Sequence, residues 1–268
     1  MATGKLTAYW AGYGVAENPA DQPLDKTPSF ADEVPMAFAG PATDCGSLDV
    51  SYLCSRYSPE TVKPWIKALQ ARGQRVLISL MDTPSTHWNV VDKRAFAKDV
   101  AARAIGEWGL DGVDIDAESG MPQAGFVVSF VELIQEMRRA IGSDKLISYT
   151  CYTGCSPGDN DYEILTRVKE DVDWVNTMAY FYGLEQMRAQ FREYATVVGN
   201  ENVSIGVKAG KPGTGDQSTS LDQVIEITKW QPHGNPKRGV MFWSVFRDAQ
   251  PVTGRPDWTY MESIRKSL

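Results

Sequence analysis

Residues 111–118 read Asp-Gly-Val-Asp-Ile-Asp-Ala-Glu, four carboxylates in eight residues and the most informative stretch of the chain. A helix would spread them around its circumference. On a strand, Asp114, Asp116 and Glu118 share one face while Val113, Ile115 and Ala117 share the other. Three like charges within ~14 Å of strand repel one another, an arrangement that stability alone does not favour. Crowded carboxylates do push their pKa values apart, which is what an acid that keeps its proton near neutral pH requires. Glu118 closes the row, just before Ser119-Gly120. Asp111 falls on the opposite face and reads as structural, a turn or helix-end contact. The rival reading of the row is a Mg²⁺ or Ca²⁺ site, since acidic strand ends also supply hard oxygen ligands.

Such a row needs a scaffold that holds strands rigidly. Eight short apolar or β-branched runs recur: LTAYW (6–10), VPMAF (34–38), RVLISL (75–80), GVDID (112–116), KLISYT (145–150), WVNTMAY (174–180), VSIGV (203–207) and GVMFWSVF (239–246). Between most of them lie segments with helical period. These are 59–72, opened by Pro59-Glu60 and closed by Gly73, 92–108 behind an Asp92 cap, and 125–141 before Gly142. Residues 184–198 and 220–231 read the same way, and 257–268 form a terminal helix opening at Asp257. Residues 11–33 scatter Pro and Asp and read as a long loop with little helix. Strands alternating with helices imply right-handed crossovers and a parallel sheet. Eight such units predict an α/β fold, a single (β/α)₈ TIM barrel that takes in residues 1–268 as one catalytic domain. The competing fold, an open doubly wound sheet, usually carries a Gly-rich phosphate loop after its first strand. Here that place is taken by AGYGVAENP, which lacks the G-x-G-x-x-G spacing. In a parallel barrel the C-terminal strand ends carry the chemistry, and Glu118 stands at such an end.

The chain of 268 residues has a net charge of −7 and no Lys/Arg block, which argues against nucleic acid and anionic membrane as partners. No apolar run approaches the ~20 residues of a membrane span. The two histidines, His87 and His233, are too few and too far apart for His-based catalysis or a His-ligated metal. Cys45/Cys54 and Cys151/Cys155 form two close pairs in loop-like segments. Two local disulfides would fit an exported protein, and four reduced thiols a cytoplasmic one. The opening MATGKLTAYW has no charged stretch followed by an apolar one, so no signal peptide is visible. A cytoplasmic enzyme and an extracellular one with a replaced export signal both fit.

The row DGVDIDAE resembles the D-G-x-D-x-D-x-E signature of family 18 glycoside hydrolases, the chitinases and endo-β-N-acetylglucosaminidases. Met178-Ala179-Tyr180, on the sixth candidate strand, resembles that family's M-x-Y. Trp243, on the eighth, resembles its closing tryptophan, and Tyr9 and Phe38, on the first two, resemble the aromatics that line its cleft. The third candidate strand departs: it ends Ser79-Leu80-Met81-Asp82 where many members have S-x-G-G, so Ser79 matches and Met81 and Asp82 do not. About 30 residues separate the seventh and eighth strands, too few for the chitinase insertion domain, so the resemblance implies the small, shallow-cleft branch.

The resemblance implies a catalytic set of Glu118, Asp116, Asp114 and Tyr180 and substrate contacts from Trp243, Tyr9, Phe38, Met178 and Ser79. Glu118 would protonate the leaving oxygen while the substrate's 2-acetamido oxygen attacks, giving an oxazolinium ion and retained configuration. Asp116 would orient the acetamido N–H, Asp114 would share a proton with Asp116, Tyr180 would donate to the acetamido oxygen, and Trp243 would floor the sugar subsite. Core packing is the competing reading for Trp243, Tyr9 and Phe38. Asp82, His87 and Asn176 are further polar candidates for the cleft, and Trp10, Tyr13, Trp88, Tyr152, Tyr182 and Phe246 lie near predicted strand ends. The implied partner is a polymer or oligosaccharide of β-1,4-linked N-acetylglucosamine, acted on by a monomer without a cofactor. Linear chitin is the first expectation, favoured by short loops after most strands. The chitobiose core of N-glycans is the alternative, and an inactive sugar-binding barrel is the alternative of another class, against which the presence of Glu118 weighs. An extracellular site of action is the expectation, with a cytoplasmic one the alternative.

Overall fold

In the computed structural model, residues 4–13, 22–83, 85–119, 123–210 and 217–268 are described. Residues 14–21 of the first predicted loop, and Gly120, lie outside them. The strands are β1 (Lys5–Ala8), β2 (Trp10–Ala11), β3 (Glu33–Pro41), β4 (Leu48–Asp49), β5 (Arg75–Leu80), β6 (Gly112–Ala117), β7 (Leu146–Cys151), β8 (Trp174–Thr177), β9 (Val203–Lys208) and β10 (Gly239–Trp243). Parallel pairing runs β1-β10-β9-β8-β7-β6-β5-β3-β2, and Thr7↔Glu33 pairs β1 with β3, so the sheet closes on itself. The short β4 pairs antiparallel with β3 outside the ring. With β1 and β2 as two halves of one stave, the ring is a single (β/α)₈ barrel. The helices around it are α1 (Pro59–Ala71), α2 (Lys93–Val100), α3 (Gln123–Ile141), α4 (Asn160–Val168), α5 (Leu184–Val198), α6 (Leu221–Lys229), α7 (Gln250–Thr253) and α8 (Thr259–Ser267). Between β9 and β10, α6 is the one helix among the described residues. No helix of the described residues is long and apolar enough to cross a membrane.

Strand periodicity divides the side chains into two environments. Outward positions such as Val76, Ile78, Val113, Ile115, Ile147, Val175, Ile205, Val240 and Phe242 belong to the large apolar cluster beneath the helices. The other parity carries buried Thr7, Ser79, Asp114, Asp116, Ser148, Thr150, Asn176 and Ser204. The barrel axis is therefore polar. At its floor Arg238 grips Glu33 with two nitrogens (2.6 and 3.1 Å), Thr7 donates to the same carboxylate (2.6 Å), and the guanidinium lies 4.0 Å from the Trp174 ring centre.

Several element ends differ from the sequence reading. The sixth strand stops at Thr177, so Met178 and Tyr180 leave the sheet, with Ala179–Phe181 in a 3₁₀ turn that folds over the barrel mouth. The eighth stops at Trp243 before a similar turn, Val245–Arg247. The segment 92–108 begins as α2, with the predicted Asp92 cap accepting from Ala95 N at 3.0 Å, but winds into a π-helical stretch, Ala101–Glu107. The last helix begins after Trp258, which adopts φ +69°. Asp257 instead accepts the Gln250 N–H at 2.8 Å. Helix α4 was hidden because an acid sits on its buried face. Asp161 is buried and accepts from Tyr149 (2.6 Å), Tyr194 (2.7 Å) and Thr153 (2.7 Å), a polar tie between α4, β7 and α5. All four cysteines are free thiols, so the disulfide reading is not met. Cys151 is buried, with its thiol directed at the Asn176 carbonyl (3.1 Å).

The Asp-Gly that opens the acidic strand has a local cause. Asp111 accepts from Val76 N (2.9 Å), Arg75 (2.9 Å) and Gln70 (3.0 Å), tying β6 to β5 and to the end of α1 as a structural contact. At Gly112 a Cβ would lie 2.1 Å from the Leu146 carbonyl oxygen, a backbone atom that cannot swing aside. Gly112→Ala is therefore expected to cost about 2–3 kcal/mol, the upper range for overpacking, in a urea unfolding curve. A loss below ~0.5 kcal/mol would show that the two strands can part at that point.

Candidate active site

The carboxylate row lies on β6 with its face turned into the barrel. Asp114 and Asp116 are 0% and 2% exposed, whereas Glu118, one residue beyond the strand, is open to solvent. Depth thus changes at every second residue.

Asp114 is the deepest. Its Oδ2 accepts from Tyr9 Oη (2.8 Å) and Ser79 Oγ (2.6 Å), and its Oδ1 from Ser148 Oγ (2.6 Å) and Thr150 Oγ1 (2.8 Å). The amide of Asn176 is oriented from below. The Trp174 indole can only donate, and it donates to Asn176 Oδ1 (3.1 Å). The Asn176 amide nitrogen then faces Thr150 Oγ1 (3.1 Å) and Tyr9 Oη (3.4 Å), and those two hydroxyls, 2.6 Å apart, share a further hydrogen bond beside Asp114. Burial raises the Asp114 pKa, and the four hydroxyls oppose that rise by favouring its charged form. Burial first, then the charges of Glu118, Asp114 and Asp82, push the Asp116 pKa well up, and its buried Oδ1 has no hydrogen-bond partner among the described residues.

Above this pair opens a cavity of about 190 Å³, lined by Asp116, Glu118 and Thr150, by the rings of Tyr9, Phe38, Tyr180, Phe181 and Trp243, and by Met178, Met241 and Lys208. That volume is below the ~300–1,000 Å³ of drug-sized sites and suits about one sugar ring. Phe38 and Trp243 are stacked 5.6 Å apart at 18°, and Tyr9 lies 5.7 Å from the Trp243 ring, so three aromatics form one wall. Tyr180 and Phe181 (4.7 Å apart) form the facing wall, with Tyr152 edge-on to Phe181 at 5.4 Å. Burial, and then the charges of Glu118 and Asp116, hold the Tyr180 phenol well above its ordinary pKa, so it stays a donor. Crowding by the cleft walls lifts the Glu118 carboxyl, and the Lys208 ammonium pulls the other way. The arrangement offers a proton donor at the open end, an acceptor without a donor at Asp116, a phenol donor opposite, and flat rings for an apolar sugar face.

Of the residues expected to meet substrate, Tyr9, Phe38, Met178 and Trp243 line the cavity together with the catalytic candidates Asp116, Glu118 and Tyr180. Ser79 does not. It is fully buried behind Asp114 and acts as one of its four donors, because its parity on β5 points it down the barrel axis. Trp10 and Trp88 are fully buried in the outer core. Tyr13 stacks between Tyr52 (4.6 Å) and Phe38 (6.3 Å), while Phe246 meets the Trp243 edge. The sequence reading missed Ser148, Thr150, Met241, Phe181 and Lys208. A signal existed for four of them: Ser148 and Thr150 are in register with Asp114 and Asp116, and Met241 and Lys208 share the inward parity of β10 and β9. Phe181 sits in the turn after β8, where no periodicity applies.

Residues 49–242 match the sequence model of the endo-β-N-acetylglucosaminidase EndoS TIM-barrel domain. The chain belongs to glycoside hydrolase family 18. It is similar to endo-β-N-acetylglucosaminidase F2 of Elizabethkingia meningoseptica, 24% identical over 233 residues, which is 80% of this chain and 68% of that protein. It is also similar to a chitinase of Enterococcus faecalis, 24% identical over 230 residues, 71% of this chain and 65% of that protein. The chain thus spans about two thirds of the length of these curated relatives. In fold it resembles a family 18 chitinase from Pseudoalteromonas aurantia, with TM-score 0.79 at 21% identity over 98% of this chain and 100% of that one. It likewise resembles an endo-β-N-acetylglucosaminidase from Cordyceps militaris, with TM-score 0.71 at 16% identity over 100% and 91% of the two chains. The chain is a family 18 glycoside hydrolase with a (β/α)₈ barrel.

The position of Ser79 generates a test. A hydrogen bond to a charged group is worth about 1.5–3 kcal/mol, so Ser79→Ala should lower kcat about tenfold or more through Asp114. KM for any cleaved glycan should stay within about twofold, since Ser79 lines no part of the cavity. A large rise in KM with kcat unchanged would return Ser79 to the substrate side.

Proposed function

We propose that this hydrolase cleaves the β-1,4 bond between two N-acetylglucosamine units, with retention, using the substrate's own acetamido group as nucleophile. The observation that supports this most directly is the pairing of Asp116, buried with an unsatisfied oxygen, with Glu118 two residues on at the solvent end of one small cavity. Glu118 gives its proton to the glycosidic oxygen as the C1–O bond breaks. The acetamido carbonyl oxygen closes on C1 to form an oxazolinium ion. Asp116 accepts the acetamido N–H and offsets the positive charge, and the Tyr180 phenol donates to the acetamido oxygen and holds it against C1. Water then attacks C1, its proton passes to Glu118, and the acetamido oxygen is released. Trp243 supports the sugar ring throughout. Asp114 takes no part in bond making; its fixed charge keeps Asp116 and Glu118 holding a proton between them.

We take the chitobiose core of N-glycans as the first substrate. The matching family model and the F2 relative, both endo-β-N-acetylglucosaminidases, support it. Chitin oligomers are the second reading, supported by the Enterococcus chitinase and by the short loops that favour a linear chain. Both present the same disaccharide to the cavity. Either substrate lies outside the cytoplasm, and with it the enzyme's site of action.

Product analysis on a high-mannose glycopeptide beside chitin tetra- to hexasaccharides separates the two. Release of the glycan with one N-acetylglucosamine left on asparagine supports the first, and internal cuts giving di- and trisaccharides as β-anomers support the second. Glu118→Gln should lose at least ~10²-fold in kcat while remaining folded, the scale of a positioned general acid. Asp116→Asn should also lose kcat, and a thiazoline mimic of the oxazolinium should inhibit the wild type. Full activity in a folded Glu118→Gln protein, or activity abolished by a chelator and restored by Mg²⁺, would overturn the mechanism.

A further inference from the structure

The loop after β5 holds a carboxylate that the mechanism does not use. Asp82 is buried, its side chain 3% exposed, and its Oδ2 accepts from Ser119 Oγ (2.7 Å) and from the Trp88 backbone N–H (3.1 Å). His87 Nδ1 lies 3.3 Å from the same oxygen, with the imidazole part-exposed. Ser119 follows Glu118 directly. The pairing of β6 with β7 ends at Ala117↔Cys151, so the sheet holds neither Glu118 nor Ser119. The Asp82 side of the contact is rigid by comparison. Trp88 is fully buried against Phe96 (5.5 Å) and Phe130 (6.4 Å), and a backbone bridge with a hydroxyl contact (2.7 Å) joins Thr83 to Thr86.

We propose that Asp82 is a positioning residue for Glu118, clamping Ser119 to the β5 loop and thereby fixing the point from which the acid reaches the cavity. The inference rests on Glu118 being the acid. A mobile acid samples many poses and protonates in few of them, so the clamp raises kcat while leaving ground-state binding almost unchanged. Asp82 also acts at a distance. The groups facing Asp116 are the carboxylates of Glu118, Asp114 and Asp82 and the phenols of Tyr9 and Tyr180. Lys208 faces Glu118, and Arg247 faces Tyr180. With Asp114, Asp82 is therefore one of two negative charges outside the Asp116–Glu118 pair that favour a proton on it.

The two effects separate by substitution. Ser119→Ala removes the clamp and keeps the charge. It should lower kcat about tenfold, the scale of one hydrogen bond to a charged group, with KM within about twofold and the alkaline limb of the kcat profile unmoved. Asp82→Asn keeps an acceptor for Ser119 and Trp88 and removes the charge. A negative neighbour raises the pKa of an acid, so its loss lets the pair give up its last proton at lower pH. The alkaline limb should move acidward by about half a unit while kcat at its optimum stays within about threefold. A merely structural role would lower the melting temperature and move neither kcat nor the limb. Unchanged kcat in Ser119→Ala, or an unmoved limb in folded Asp82→Asn, overturns the proposal. Glu118→Gln measured alongside separates the two levels. If it stays active, the mechanism falls and the clamp with it. If it is inactive while Ser119→Ala and Asp82→Asn match the wild type, the clamp alone falls.

Discussion

A carboxylate sealed inside a barrel keeps its charge at low cost only where donors surround it. Asp114 makes that demand, and much of the inward-facing sequence answers it. Tyr9, Ser79, Ser148 and Thr150 supply the donors, Asn176 faces two of them, and Trp174 sets the direction of Asn176. Barrel interiors are ordinarily filled by branched apolar side chains. Here that role passes to the outer layer, where Val, Ile, Leu and Phe of the alternate parity pack beneath the helices. The floor follows the same rule, with Glu33 buried only because Arg238 and Thr7 complete its hydrogen bonds. A chain that replaced one hydroxyl by an apolar group would gain apolar contact and leave an acceptor unpaired, which costs about 1–3 kcal/mol.

Fixing Asp114 also divides the labour along β6. Alternate residues of a strand are nearly 7 Å apart, so each step of two along this strand crosses from one dielectric environment to another. At the first position the carboxylate is surrounded by hydroxyls, which oppose the rise in pKa that burial causes. At the second, burial and neighbouring charges make ionisation unfavourable. At the third the strand has ended and solvent competes. A helix could not produce this gradient, because residues two apart point in nearly opposite directions. The same sequence period that turns the apolar residues outward therefore grades the acids by depth.

How much of this was legible in the sequence follows from the same periodicity. The barrel, the parity of the acidic row and the structural role of Asp111 could be read because each is a repeating or local pattern. Helix α4 could not, because its buried Asp161 has partners on β7, α5 and the β7 loop, and no local window contains them. The ends of β8 and β10 were overrun because Met178–Tyr180 and Val245–Phe246 are apolar for a tertiary reason: they cover the barrel mouth. Ser79 was assigned to substrate by resemblance, whereas its parity already placed it beside Asp114. Asp82 and Asn176 could be named only as polar candidates, since what each does depends on a partner more than 25 residues away, Ser119 for one and Thr150 and Tyr9 for the other.

On the proposed mechanism, the smallness of the cavity takes the place of a second catalytic carboxylate. A space of about 190 Å³ between the Phe38–Trp243 wall and the Tyr180–Phe181 wall admits one ring together with its own substituent. The acetamido group is then held against C1 by the walls and by Asp116 and Tyr180, and attack becomes intramolecular. Well-oriented intramolecular reactions reach effective molarities of about 10⁵–10⁸ M, enough to make a weak carbonyl nucleophile competitive. Met178 and Met241 add apolar surface to the same lining. The charged floor and the apolar walls thus have complementary effects: the floor stabilises the cation that forms, and the walls determine which oxygen reaches C1 first.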